Sequence, residues 1–184
     1  MEKGIRFREK EQLFWEYREA THSMVASEMS DEFSLDMRLT DINAEALYQI
    51  STWRSQYHGE LKRSPPGWDW TKEVIKYRRR PRRVELAIWS GSDLCGLVIG
   101  RVSDRRVVAS IHLIESNPGQ HPLRGYIAPI AVRWLSTFAV MISCREIAIE
   151  RPVAELIEYY QELGFVDAIT KGKKIVRLKT RITR

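Results

Sequence analysis

The chain has 184 residues, 43% of them hydrophobic, which is enough for one core of ordinary size, so we expect one domain. Lys and Arg number 30 against 24 Asp and Glu, so the formal net charge is +6. The excess cations concentrate in "KYRRRPRR" (76–83) and "KGKKIVRLKTRITR" (171–184), which favour an anionic partner such as nucleic acid or simply form a solvated face.

The cysteines and the apolar runs exclude several classes of protein. Cys95 and Cys144 lie in apolar contexts without CxxC spacing or a histidine cluster, so neither a disulfide framework nor a metal site is predicted. No signal-peptide segment is visible at the N-terminus, and polar residues interrupt each apolar run before it reaches bilayer-spanning length. We therefore expect a cytoplasmic protein that makes no use of a membrane.

The first part of the chain predicts a helical extension and then the start of a domain. Residues 5–29 form an amphipathic helix with an incomplete apolar stripe, which makes 1–32 an extension and 33–184 the domain. The predicted elements that follow are a strand at 33–39, a helix capped by Asp41 or Asn43 and stopped by Gly59, a Pro-Pro-Gly loop at 64–70, and a short helix ending before Pro81.

Three strands rich in Val and Ile come next and predict an antiparallel meander. They cover 83–90, 94–103 and 107–116, with short turns between them. The remaining predicted elements are an apolar helix at 129–143 with Pro129 in its first turn, a strand at 145–151, a helix at 152–163 ended by Gly164, and a closing hairpin around "TKGK". The order β-α-α-β-β-β-α-β-α-β-β predicts an α+β (mixed α/β) fold with a mixed sheet, in which ligands collect where strand pairing changes character.

This order, ending in "EYYQELGF" (158–165), resembles the GCN5-related N-acetyltransferase (GNAT) superfamily across roughly residues 33–180. The resemblance implies an acetyl-CoA-dependent enzyme in which strands 107–116 and 145–151 splay apart. Backbone groups between Ala109 and Ile114, with Ile111 and Leu113 as the named contacts, would pair with the pantetheine arm like an added strand.

The same resemblance places the pyrophosphate on the loop "RGYIAP" before the apolar helix, where helix N-terminal amides favour an anion. Arg124 and Gly125 match the family pattern, and Tyr126, Ile127 and Ala128 complete the predicted contacts. Ile127 and Pro129 depart from it, because small residues are usual there and proline has no N–H to donate. The alternative is an ordinary surface loop.

Two residues are predicted to carry the chemistry. By resemblance, Tyr160 donates a proton to the departing thiolate, whereas Tyr159 points about 100° away on the helix; the alternative for Tyr160 is a core aromatic. Glu115, at the end of its strand, is the predicted general base, with His112 and Glu150 as competitors. Regular alternation places His112 on the opposite face from Glu115 unless a bulge intervenes.

The acceptor side is expected from the resemblance near "YHGELKRSPPGWDW" (57–70). Trp68 and Trp70 supply an aromatic surface, and Asp69 and Glu60 attract a cationic amine. The alternative for each tryptophan is a place in the core.

Three functions remain open. The first is an acetyl-CoA-dependent N-acyltransferase acting on an amine of a small molecule, peptide or protein. The second is a toxin-like enzyme that acetylates aminoacyl-tRNA and uses the basic runs. The third is a binding or regulatory module that keeps the fold without the reaction. The sequence also leaves open whether the N-terminal helix packs on its own domain or on a second copy, in a homodimer.

Overall fold

A computed structural model describes residues 2–56 and 68–182 of the chain. The predicted element order is confirmed in this part. The elements are α1 (Glu2–Phe33), β1 (Met37–Thr40), α2 (Ala44–Gln56), α3 (Trp70–Arg78), β2 (Arg83–Ser90), β3 (Asp93–Val102), β4 (Val108–Ser116), α4 (Ile127–Met141), β5 (Glu146–Glu150), α5 (Ile157–Glu162), β6 (Asp167–Lys171) and β7 (Lys174–Arg181). The predicted residues Tyr57, Gly59 and Glu60 lie outside the described part.

The seven strands form one mixed sheet in the order β1-β2-β3-β4-β5-β7-β6. All neighbouring strands run antiparallel except β4 and β5, which run parallel because α4 connects them as a crossover. This parallel pair is where strand pairing changes character at the centre of the sheet.

Each face of the sheet carries its own apolar cluster. One cluster joins α1, α4 and α5 to the sheet through buried side chains such as Val25, Trp134 and Phe165. The other joins α2 and α3 to the opposite face through Trp53, Trp70 and Trp89. The central strands are therefore covered on both sides, which explains why β2 and β3 read as nearly continuous apolar runs.

Helix α1 is longer than the predicted 5–29 and packs against β1 and α4. Its residues Phe14, Val25 and Met29 are buried in the first cluster. The stripe looked incomplete in the sequence because the same helix face also carries buried polar side chains, among them Arg18 and His22. The structure thus shows α1 lying on this chain's own core.

The helix caps follow the sequence signals. Asn43 accepts the Ala46 N–H at 2.9 Å at the start of α2, and Asp69 accepts the Lys72 N–H at 3.2 Å at the start of α3. Helix α4 starts at Ile127, two residues earlier than predicted, so Pro129 is its third residue. None of the described helices combines the length and apolar character that crossing a bilayer requires.

Candidate active site between the splayed strands

Strands β4 and β5 pair for only part of their length. Their register runs from Val108 opposite Glu146 to Ile111 opposite Ile149, and residues 112–116 continue along β3 alone. In the described part of the chain, no strand pairs with this second half of β4 on the β5 side. The two strands therefore separate after Ile111, as the resemblance implied.

A cavity of about 440 Å³, which we call the splay cavity, lies beside this separation. Three elements meet around it: the second half of β4, the start of α4, and α5 with the turn before it. Its lining consists of Ile114, Ser116, Gly125, Ile127, Ala128, Leu156, Tyr159 and Tyr160. Four of the predicted site residues, Gly125, Ile127, Ala128 and Tyr160, are thus brought together at one cavity.

The start of α4 presents backbone donors at this cavity. Gly125 has a φ of +87°, a conformation that favours glycine, and it turns the chain into the helix. Among the described residues, no hydrogen-bond acceptor pairs with the amides of Gly125, Ile127 or Ala128. The Tyr126 amide differs, since it donates to the Leu123 carbonyl at 3.0 Å. The helix start thus offers three amides to an anion, without the Tyr126 amide that the sequence had suggested.

The Ile127 side chain does not stand over these amides. It is 4% exposed and packs toward β3 at Gly96, where an added Cβ would lie 2.7 Å from the isoleucine Cγ2. The missing side chain at Gly96 therefore makes the room that a bulky residue at position 127 needs. The isoleucine at position 127, where the family has a small residue, is thus accommodated against the sheet. Arg124, at the edge of the loop, is exposed.

Tyr160 is positioned by the end of α5. The Phe165 N–H donates to the Tyr160 carbonyl at 3.1 Å and the Gly164 N–H to the Gln161 carbonyl at 2.9 Å, the pair of bonds that ends a helix at a glycine with positive φ. The Tyr160 side chain is 4% exposed and lines the splay cavity. Burial, with Tyr159 close by, raises the pKa of Tyr160 to about 12. Its hydroxyl therefore keeps its proton at neutral pH.

A bulge in β4 changes which side chains share a face. Gly100 pairs with Ile111 and Ile99 with Leu113, so His112 is the extra residue. As a result His112 and Glu115 both face α3: the Tyr77 hydroxyl lies 3.0 Å from His112 Nδ1, and Trp70 Nε1 donates to Glu115 Oε2 at 2.6 Å. The bulge thus interrupts the regular alternation that would have placed these two residues on opposite faces.

The arrangement of helices and strands is found in known structures. An acetyltransferase from Thermus thermophilus superposes with a TM-score of 0.58 at 14% identity, covering 79% of this chain and 96% of its own. The aminoglycoside 6'-N-acetyltransferase from Enterococcus faecium gives 0.54 at 13% identity over 79% and 97% of the two chains. Tetrahymena GCN5 gives 0.53 at 13% identity over 81% and 97%. No protein-family model and no curated protein sequence matches the chain.

The chain has the GNAT fold. At these identities the likeness concerns the fold alone, so the roles of individual residues depend on the geometry of this chain.

The three residues that were predicted for the acceptor side take different positions. Trp68 is 45% exposed and its amide donates to Glu115 Oε2 at 3.3 Å. Trp70 is 2% exposed and belongs to the core below α3. Asp69 caps α3 and forms an ion pair with Lys72 at 2.8 Å. Trp68 and Trp70 thus both reach Glu115, whereas Asp69 is engaged in the helix start.

Tyr77 is a residue that the sequence analysis did not single out. Its hydroxyl contacts His112, whose Nε2 lies 3.1 Å from Ser110 Oγ. Burial, followed by the charge of Arg101, lowers the pKa of His112 to about 4, so its imidazole is neutral at pH 7. In the sequence, the available signal for this arrangement was Gly100. It lies in the middle of an apolar strand, where a glycine often marks a bulge.

Proposed function

We propose that this protein is an acetyl-CoA-dependent N-acyltransferase that transfers an acetyl group to an amine. The observation that carries the proposal is the splay cavity, which joins a strand edge and three amides at or just before the start of α4, all without partners among the described residues, to a buried tyrosine. The GNAT fold supports it, since the likeness includes N-acetyltransferases.

The residues present fit acetyl-CoA. The amides of Gly125, Ile127 and Ala128, with the guanidinium of Arg124, would hold the pyrophosphate. The backbone of β4 beyond Ile111, including Leu113, would pair with the pantetheine arm. Bound there, acetyl-CoA supplies the thioester acyl group and a thiol leaving group.

Glu115 and Tyr160 divide the proton transfers in the proposed reaction. Glu115 takes the proton that the amine nitrogen loses as the new C–N bond forms, and its carboxylate is oriented by the Trp70 indole and the Trp68 amide. Tyr160 gives its proton to the sulfur as the C–S bond breaks. His112 suits the role of base less, because both ring nitrogens are engaged and its lowered pKa disfavours proton uptake.

Calorimetric titration with acetyl-CoA tests the binding step. We expect saturable binding by the wild type and about a tenfold weaker Kd for Arg124→Ala, since a charge-assisted hydrogen bond to phosphate is lost. Arg145→Ala is the matched control, because Arg145 is an exposed arginine next to the opposite end of the β4–β5 pairing. Absence of acetyl-CoA binding by the wild type would contradict the proposal.

Release of CoA thiol over a panel of amines then tests the reaction. Of the alternatives, the aminoacyl-tRNA enzyme loses part of its support, since Arg78 and Arg83 of the first basic run form ion pairs with Glu85. Toxicity on expression that Tyr160→Phe relieves would favour it again. Salt-dependent nucleic-acid binding without acetyl-CoA binding would favour the inactive module. The homodimer stays a prediction, which light scattering can test.

A further inference from the structure

A second cavity of about 350 Å³, which we call the arginine cavity, lies at the first half of β4. Ser110 and His112 line it, and their side chains lie on the α3 face of the sheet, whereas Ile114 of the splay cavity packs with the cluster on the other face. His112 is the first residue beyond the last β4–β5 pair, Ile111 with Ile149. The arginine cavity therefore adjoins the point at which the strands separate, on the opposite face from the splay cavity.

Three arginines and two acids, Asp104 and Glu150, line this cavity, and two of the arginines have no ion-pair partner among the described residues. Arg177 pairs with Glu150 at 2.7 Å. For Arg80 and Arg101, no carboxylate of the described residues lies within ion-pair distance. The Arg101 guanidinium lies over the Tyr77 ring, 5.0 Å from its centroid, which holds it toward α3.

Arg101 also has an unsatisfied donor. Its Nε is buried and has no hydrogen-bond acceptor among the described residues. A buried N–H without an acceptor is costly, and the cost is largest for charged groups. An anionic oxygen entering the cavity would compensate the charge of this guanidinium.

The cavity also carries the neutral polar side chains of Ser110 and His112. Ser110 Oγ donates to the Arg101 carbonyl at 3.3 Å and lies 3.1 Å from His112 Nε2, so these two groups hold each other beside the guanidinium. After burial, the causes that lower the pKa of His112 are the charges of Arg101, Arg177, Arg151 and Lys76. The field around the imidazole is therefore positive, so it disfavours a cation and favours an anion.

From this geometry we infer that the arginine cavity binds a carboxylate or phosphate group carried by the acceptor, so that the substrate is an amine with an anionic group. This inference rests on the proposed acyl transfer. Arg80 and Arg101 would hold the anion, and the cavity's place beside the strand separation would direct the amine nitrogen toward the splay cavity. Carboxylate and phosphate share the recognition chemistry, because the guanidinium fork binds both. The acceptor would then carry an anionic group in addition to the amine that the sequence analysis expected near Asp69.

Calorimetry with O-phosphoethanolamine and β-alanine as probes tests anion binding without acetyl-CoA. Ethanolamine is the control that lacks an anionic group. We expect at least one anionic probe to bind at least about tenfold more tightly than ethanolamine, and Arg80→Ala to remove this difference. Arg79→Ala is the matched control, since Arg79 is the neighbouring exposed arginine and does not line the cavity. Arg101→Lys keeps the charge but loses the fork, and it should weaken binding as well.

The two binding experiments separate the two proposals. If acetyl-CoA binds but neither probe shows an advantage that depends on Arg80, the anion site is wrong and the acyltransferase stands. If the probes bind through Arg80 but acetyl-CoA does not bind, the acyltransferase is wrong and the anion site stands. Acetylation of ethanolamine or 1,4-diaminobutane with a kcat/KM equal to that of the anionic amines would also overturn the inference. A preference for one probe over the other distinguishes phosphate from carboxylate.

Discussion

Tyr160 combines three properties in one residue: it lines the splay cavity, its hydroxyl stays protonated at neutral pH, and its carbonyl takes part in the helix end. The ring packs edge-on against Phe165, with the centroids 6.5 Å apart. Being buried in the core and facing the cavity are therefore compatible for this tyrosine, and the two interpretations of the sequence do not compete.

Replacing Tyr160 by phenylalanine isolates its hydroxyl. If Tyr160 protonates the departing sulfur, Tyr160→Phe should lower kcat about a hundredfold. The acetyl-CoA Kd and the thermal midpoint should change little, because the ring and its packing remain. Thiol-release kinetics and calorimetry measure the two effects. Tyr159→Phe is the matched control, and an equal loss of kcat in both variants would argue against a specific role for Tyr160.

The burial of the two cysteines leads to a prediction about the reactivity of their thiols. Cys95 and Cys144 are buried, and burial raises the pKa of each thiol to about 11. Because the thiolate is the reactive form, native protein should react negligibly with a thiol reagent at pH 8, and both thiols should react after denaturation in guanidinium. Fast reaction of either thiol in the native state would contradict the burial described here. Because the protein's own thiols should not react, the assay of CoA thiol release should have a low background.

Among single residues, those whose role is local were predictable from the sequence. Gly164 ends its helix and Asn43 caps another, because turn and cap chemistry is set by neighbours in the chain. The direction of the Ile127 side chain was not predictable, since it depends on Gly96, a residue of a different strand.

At the scale of elements, the bulge in β4 does most to arrange the candidate site. It brings His112 and Glu115 to the α3 face just where β4 leaves β5. The sequence predicted the three meander strands within one residue of their observed bounds, because their apolar runs are bounded by turns. The pairing register of these three strands could not be predicted from the sequence, because it depends on cross-strand packing.

Gly100 makes the bulge possible. A Cβ at Gly100 would lie 1.9 Å from the Ser110 carbonyl oxygen, a backbone atom that cannot move aside cheaply. We therefore expect Gly100→Ala to lower the free energy of unfolding by at least about 2 kcal/mol. Urea titration followed by tryptophan fluorescence measures this change.

A glycine without close neighbours supplies the control. Gly91, in the turn between β2 and β3, has a φ of +56° and nothing within 4 Å of an added Cβ, and asparagine tolerates this conformation. Gly91→Asn should therefore cost less than about 1 kcal/mol. A Gly100→Ala variant as stable as Gly91→Asn would mean that β4 can pair with β3 without the close approach.

At the scale of the whole molecule, α1 is tied to the domain by buried charge as well as by apolar packing. Arg18 is fully buried and donates to Asp41 at 2.8 Å and to Glu11 at 3.2 Å. Trp134 Nε1 donates to His22 Nδ1 at 3.0 Å, which leaves His22 Nε2 to donate to Asp41 at 3.2 Å. The sequence showed these residues but could not pair them, because the partners lie up to 112 positions apart.

The same network reaches the sheet through Glu11, whose carboxylate lies 2.6 Å from the buried Arg83 guanidinium. Arg83 and Arg78 also pair with Glu85, a fully buried carboxylate. Arg78 and Arg83 of the first basic run therefore neutralise acids inside the fold, which weakens the argument for a nucleic-acid surface there.

Deletion of residues 1–32 tests whether α1 is an extension or a part of the domain. The deletion would leave Asp41 without Arg18 and His22, would take Glu11 from Arg83, and would uncover the apolar surface under Val25 and Met29. Removing one partner of a buried ion pair costs about 3–5 kcal/mol, and a domain of this size has only about 5–15 kcal/mol of stability in total. We expect the shortened chain to show no cooperative unfolding transition by circular dichroism, whereas deletion of residues 2–5, which removes none of these partners, should leave the transition in place. A cooperative transition of the 33–184 chain at the full-length midpoint would show that the domain folds by itself, and the buried charges around Asp41 and Arg83 would then need partners other than α1.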